Sequence, residues 1–133
     1  MPGDAVRMFV NGQAMRGGSL NDALVAARYL GAVRTAPKYR FFSFRDEFPG
    51  LAGVSDGGWA VPGEIYEVSY TELRENLLPR EPAELELSVI ELEDGHGSLS
   101  MVCRRLPRVG DGVREITVPG GWREYNARTA ELP

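Results

Sequence analysis

Hydrophobic positions along the chain recur mostly at strand spacing, interrupted by glycine- and proline-rich turns. "VRMFV" (6–10) is apolar at nearly every position and predicts a short central strand. A glycine-rich loop follows, then "LNDALVAA" (20–27), which predicts a helix with Leu20, Leu24 and Ala27 on one face. Ser19 and Asp22 fit a variant capping box at its start. "YLGAVR" (29–34) and "YRFFSF" (39–44) read as strands around "TAPK", whose proline favours a turn. "FPGLAGVSDGG" (48–58) reads as a surface loop, and "WAVPGEIYEV" (59–68) as a strand pair or bent strand with Pro62 and Gly63 at the bend.

"SYTELRENL" (69–77) predicts a short helix capped by Thr71 and stopped before Pro79. "LELSVIELED" (85–94) is the clearest strand, and the turn "DGHG" joins it to "SLSMVCRR" (98–105) as a hairpin. A polar loop (107–114), an "EITV" strand (115–118) and "GGWREYNA" (120–127) complete the pattern, with a disordered tail expected after Ala127. Six or seven short strands with two or three helices predict one α+β domain over 1–133, built on a barrel-like or strongly curved sheet.

Composition narrows the chemistry. A net charge of −4 gives no basic footprint for nucleic acid or anionic lipid, and no apolar run approaches membrane-spanning length. The amino terminus lacks signal-peptide features, so a cytoplasmic location is expected. One cysteine, Cys103, and one histidine, His96, cannot form a disulfide or a zinc cage. No metal or cofactor is implied. Cys103 reads as a small buried hydrophobe and His96 as a solvated turn residue.

Three constellations carry candidate chemistry. The segment "NGQAMRGGSLN" (11–21) links a strand to a helix start, a layout in which free backbone N–H groups attract an anion. It matches neither a P-loop nor a dinucleotide fingerprint, so a small carboxylate is the expected guest, against the plain alternative of a tight turn. In "EPAELELSVIELEDG" the apolar alternation changes phase. Either a bulge lies near Val89 and Ile90, or Glu84, Glu86 and Ser88 share a face with buried Ile90 and Leu92. An inward carboxylate there would have its pKa raised toward neutrality, whereas the alternative is a solvated acidic edge. In "RTAPKYR", Arg34, Tyr39 and Arg40 form a candidate carboxylate clamp, or simply a polar surface.

Together "NGQAMRGGSLN", "RTAPKYRFFSF", "PGL", "VPGEIYEV", "LSVIELEDG" and "GGWREY" resemble, in order, the γ-glutamylcyclotransferase-like fold, and more closely the allophanate hydrolase C-terminal domain and its stand-alone relatives. The resemblance spans Met8 to Tyr125 and implies a small mixed β-barrel with flanking helices. It implies that backbone amides of Gly12, Gln13, Ala14 and Met15 hold a substrate carboxylate, beside Asn11, which stands where the cyclotransferases carry tyrosine. It also implies a glutamate acid/base, for which Glu81 is the first candidate and Glu84 the second. Ala14 falls where allophanate hydrolase domains carry a histidine.

The leading expectation is an enzyme acting on a carboxylated amide, urea-like or γ-glutamyl compound by cyclotransfer, lyase or decarboxylation chemistry. The alternative is a non-catalytic module that docks on a separate amidase. An exposed "FPGL" loop with Trp122 is the candidate contact of a homodimer.

Overall fold

The computed structural model describes residues 5–130. Its strands are β1 (Ala5–Val10), β2 (Arg28–Arg34), β3 (Tyr39–Phe44), β4 (Phe48–Gly53), β5 (Pro62–Ser69), β6 (Leu85–Glu91), β7 (Gly97–Cys103) and β8 (Val113–Ile116). They form a curled sheet in the order β2-β5-β1-β7-β4-β3-β8, with β6 also paired to β7. β7 is therefore the hub. β6 runs antiparallel to it along its length, while β1 and β4 meet it in parallel, β1 at Leu99 and Ser100 and β4 at Val102. This mixed pairing curls the sheet into a half-barrel around Phe9, Phe41, Leu51, Val61 and Ile116, each almost fully buried. A smaller cluster joins Phe42, Phe44, Phe48, Ala52, Leu85 and Cys103. Burial there pushes the Cys103 thiol up to about 12, so it packs as a small hydrophobe.

The segment 48–53 is a strand and not the expected loop. All of Phe48 to Ala52 is buried, with Leu51 at 0% exposure, and Trp122 is only 7% exposed. These apolar groups are spent on the core, which removes the homodimer contact expected of them. The hairpin was hidden because its turn lacks glycine. Arg45 (φ 55°) and Asp46 (φ 56°) take the left-handed conformation, held by hydrogen bonds to Asp46 from Ser43 and from the Tyr125 hydroxyl at 2.7 and 2.5 Å.

Residues 20–27 do not form the expected helix. Only Asn21–Leu24 winds into a single tight turn, with no side-chain cap from Ser19. Asn21 instead turns its side chain back into the loop, onto the Ala14 carbonyl. No bulge interrupts β6, whose register on β7 is continuous from Leu85 to Glu91. The phase change arises because Leu85 packs into the smaller cluster while Ile90 and Leu92, on the other face, enter the main core. Pro62 begins β5 rather than bending it.

The helical segment α1 begins at Tyr70 and runs to Arg80 through a widened turn (Leu73–Leu77) and a tightened one (Leu78–Arg80), so Pro79 does not stop it. Its cap is Ser69, not Thr71: the Ser69 hydroxyl accepts from the Glu72 amide, and the Glu72 carboxylate accepts from the Ser69 amide, both at 3.0 Å. Helix α2 spans Gly121–Ala130, so residues 128–130 of the expected disordered tail are helical; 131–133 lie outside the described residues. No helix among the described residues is long and apolar enough to cross a membrane.

Removing the cap hydroxyl in Ser69→Ala is expected to cost about 1 kcal/mol in denaturant unfolding, while Thr71→Ala, at an exposed position, leaves stability within about 0.5 kcal/mol.

Candidate functional site

The loop 11–20 is folded by its own short-range bonds. The amides of Met15, Gly18 and Leu20 donate to the carbonyls of Gly12, Met15 and Gln13 at 3.1, 2.9 and 2.9 Å. Gly12 has no room for a Cβ, which would sit 2.5 Å from the Pro49 ring, and at Gly18 a Cβ would fall 2.0 Å from the Gln13 carbonyl oxygen. The loop is thus pressed onto β4 and closed on itself.

A buried carboxylate anchors it from below. Glu64, on β5 and 1% exposed, accepts from the Arg16 amide at 2.9 Å and from Arg123 of α2 at 3.0 Å. Arg123 also donates to the Arg16 carbonyl at 2.7 Å. The Tyr66 hydroxyl lies 3.4 Å from the same carboxylate and accepts from Asn21 at 3.0 Å, while Asn21 donates to the Ala14 carbonyl at 2.8 Å. One charged group therefore fastens loop, sheet and carboxy-terminal helix together.

The loop also lines a small cavity of about 30 Å³. Asn11, Gly12, Gln13 and Ala14 of the loop line it together with Glu81 and Ser100. Glu81 follows the last turn of α1, whose Leu78 carbonyl accepts from its amide at 3.1 Å. Burial alone raises the Glu81 carboxyl to about 7, and no donor among the described residues offsets that cost. The buried Asn11 side-chain nitrogen, Nδ2, has no acceptor. The amides of Gly12, Gln13 and Ala14 also have no partner among the loop's backbone bonds. Residues with unpaired donors and a carboxyl raised to about 7 thus line one cavity, an arrangement able to hold an oxyanion or carbonyl and move a proton beside it.

The other expected residues are placed elsewhere. Met15 and Arg34 line a separate cavity of about 400 Å³ with Arg16, Glu64, Glu93 and Arg123. Arg34 donates to the carbonyls of Ala60 and Pro119 at 3.1 and 3.3 Å. Tyr39 accepts from the Glu91 amide at 2.9 Å, and Arg40 binds Glu115 through two bonds of 2.7 and 2.6 Å, joining β3 to β8. The structure therefore does not assemble Arg34, Tyr39 and Arg40 as one clamp. Glu84 lies apart from the Glu81 cavity, and its own backbone amide and Arg45 at 2.9 Å hold its carboxyl below the usual range. Sequence reasoning missed Glu64, Tyr66, Asn21 and Arg123. The available signal was the alternation of "GEIYE", which places Glu64 and Tyr66 on the same side of a mostly apolar strand.

A family model described as the allophanate hydrolase C-terminal domain matches residues 6–127. The urea amidolyase of Lachancea kluyveri is 29% identical over 131 residues, covering 93% of this chain and 7% of its own length. The chain thus spans about 7% of the length of the curated relatives it matches. Among solved structures, a uropathogenic E. coli-specific protein is 33% identical with a TM-score of 0.82, covering 97% of this chain and 98% of its own. An AIG2-like protein from Mus musculus, 21% identical with a TM-score of 0.60 over 81% of this chain and 82% of its own, shares the γ-glutamylcyclotransferase-like fold.

Two outcomes test the site's electrostatics. Glu64→Gln is expected to lose about 1–2 kcal/mol of stability, because the buried amide keeps only one accepting oxygen for the Arg16 amide, Tyr66 and half-exposed Arg123, and to speed hydrogen exchange at the Arg16 amide. For Glu81 the folded-state value lies above the unfolded one, so stability falls as pH rises from about 4.5 to about 7. Glu81→Gln is therefore expected to be more stable than the parent by roughly 2 kcal/mol at pH 8 and equal to it near pH 4, read from unfolding curves across pH.

Proposed function

The chain belongs to the allophanate hydrolase C-terminal domain family, and from that premise we propose that it is a cytoplasmic enzyme acting on a small carboxylated amide, urea-like or γ-glutamyl compound. The observation that carries this reading is that Glu81, raised to about 7, and Asn11, whose buried side-chain nitrogen has no partner, line one cavity. The amides of Gly12, Gln13 and Ala14 hold the substrate carboxylate, and the Asn11 side chain donates to the adjacent carbonyl oxygen. Ionised Glu81 takes a proton from the reacting nitrogen and, once protonated, returns it to the departing one. In a cyclotransfer the new C–N bond forms as the attacking amine loses its proton to Glu81, and the old C–N bond breaks as Glu81 returns it. In a decarboxylation protonated Glu81 gives its proton to the nitrogen as the N–C bond breaks and CO2 leaves. Near neutral pH both protonation states of Glu81 are populated, as a shuttle requires. Ala14 offers no second proton carrier, so Glu81 acts alone. The relatives include urea amidolyases, so an amidase that supplies the substrate fits the same reading.

A second reading, a non-catalytic module seated on such an amidase, draws support from the cavity volume of about 30 Å³, which leaves room for little more than one water. Thermal shift with small mono- and dicarboxylates at pH 7 separates the two. The enzyme reading expects stabilisation of several degrees at saturating ligand, lost in Asn11→Ala and retained in Glu81→Gln, with any turnover abolished in Glu81→Gln. No stabilisation by any carboxylate would favour the module.

A further inference from the structure

The free edge of β6 carries information that the cavity does not use. The bonds Arg104 N–H to Glu84 carbonyl at 3.0 Å and Leu92 N–H to His96 carbonyl at 2.8 Å fix which residues of β6 face β7. In an antiparallel ladder, these are the even-numbered ones, so the backbone groups of Leu85, Leu87, Val89 and Glu91 point away from β7. The two outer ones are covered. The Leu85 amide donates to the Pro82 carbonyl, the Glu91 amide donates to the Tyr39 hydroxyl, and the Glu91 carbonyl accepts from the Ala36 amide. Leu87 and Val89 have no strand beyond them among the described residues, and their side chains are 38% and 68% exposed. Leu87 also lines an apolar groove with Val6, Tyr70, Leu78 and Leu99. An unpaired edge with exposed apolar side chains is a template for another strand.

We propose that this edge pairs with the same edge of a second copy, antiparallel about Ser88. That register places Leu87 opposite Val89 of the second copy and Val89 opposite Leu87, so all four outward backbone groups of each copy find partners. It sets both exposed apolar side chains against each other as cross-strand pairs. Within the uncovered stretch Glu86 falls opposite Ile90, so no carboxylate meets another, a requirement that the sequence "ELSVI" satisfies about its own centre. The fully paired stretch is short because the edge is covered from Glu91 onward. A short paired stretch makes the association weak and concentration-dependent.

Sedimentation equilibrium from about 10 μM to about 1 mM protein tests it, and the expected result is a mass rising from monomer toward dimer. Val89→Pro removes only an outward N–H, which an edge strand tolerates, and is expected to stay monomeric throughout with an unchanged circular dichroism spectrum. If that variant unfolds, Leu87→Lys, at an already exposed side chain, is expected to abolish the dimer instead. A parent chain that stays monomeric at 1 mM, or a dimer that survives Leu87→Lys or a folded Val89→Pro, overturns the proposal.

Discussion

The buried Glu64 carboxylate is the interaction on which the rest of the site depends. An isolated charge in that position would be too costly to keep, so it must be met by donors from several directions. Those donors come from three separate parts of the chain: the Arg16 amide in the loop, Arg123 in α2 and the Tyr66 hydroxyl on β5. Satisfying one carboxylate therefore fixes the relative placement of loop, sheet and helix. The loop has no helix beyond Leu24 to hold it, and the steric limits at Gly12 and Gly18 shape it without attaching it to β5. The clamp supplies that attachment.

With the loop held, a second consequence follows on its other side. Asn21 is drawn toward Tyr66 and Ala14, and Gly12, Gln13 and Ala14, whose amides have no partner among the loop's backbone bonds, line the cavity. Two carboxylates thus take opposite roles from opposite surroundings. Glu64 is enclosed by donors and serves structure. Glu81 accepts from no donor among the described residues, and burial raises its carboxyl to about 7. Glu84, solvated and paired with Arg45, has neither property.

Much of this was legible in the residues, and the failures have physical causes. The strands with clear alternation or continuous apolar runs were found, and the order of segments pointed to the family that the comparisons establish. Phe48 to Gly53 was misread because glycine and proline normally mark loops, yet Pro49 needs no donor where β4 meets β7 only at Leu51. The helix after Ser19 failed because Asn21 spends its side chain on tertiary bonds rather than on local capping. At the site, Glu81 and the loop were brought to one cavity, whereas Arg34, Tyr39 and Arg40 serve other contacts. Such differences rest on long-range pairing, which local pattern does not encode. Glu64 was missed for the same reason: its partners lie 48 and 59 residues away.

The central claim is that the Glu64 clamp holds the loop against Glu81 and so keeps that carboxyl desolvated. The most direct measurement is the pH titration of the Glu81 side-chain carboxyl by carbon-13 NMR, in the parent chain and in Glu64→Gln. The account predicts a midpoint near 7 in the parent, falling toward the ordinary glutamate range in the variant as water reaches the cavity. A parent midpoint near 4.5, or one that does not move when the clamp is removed, would contradict it.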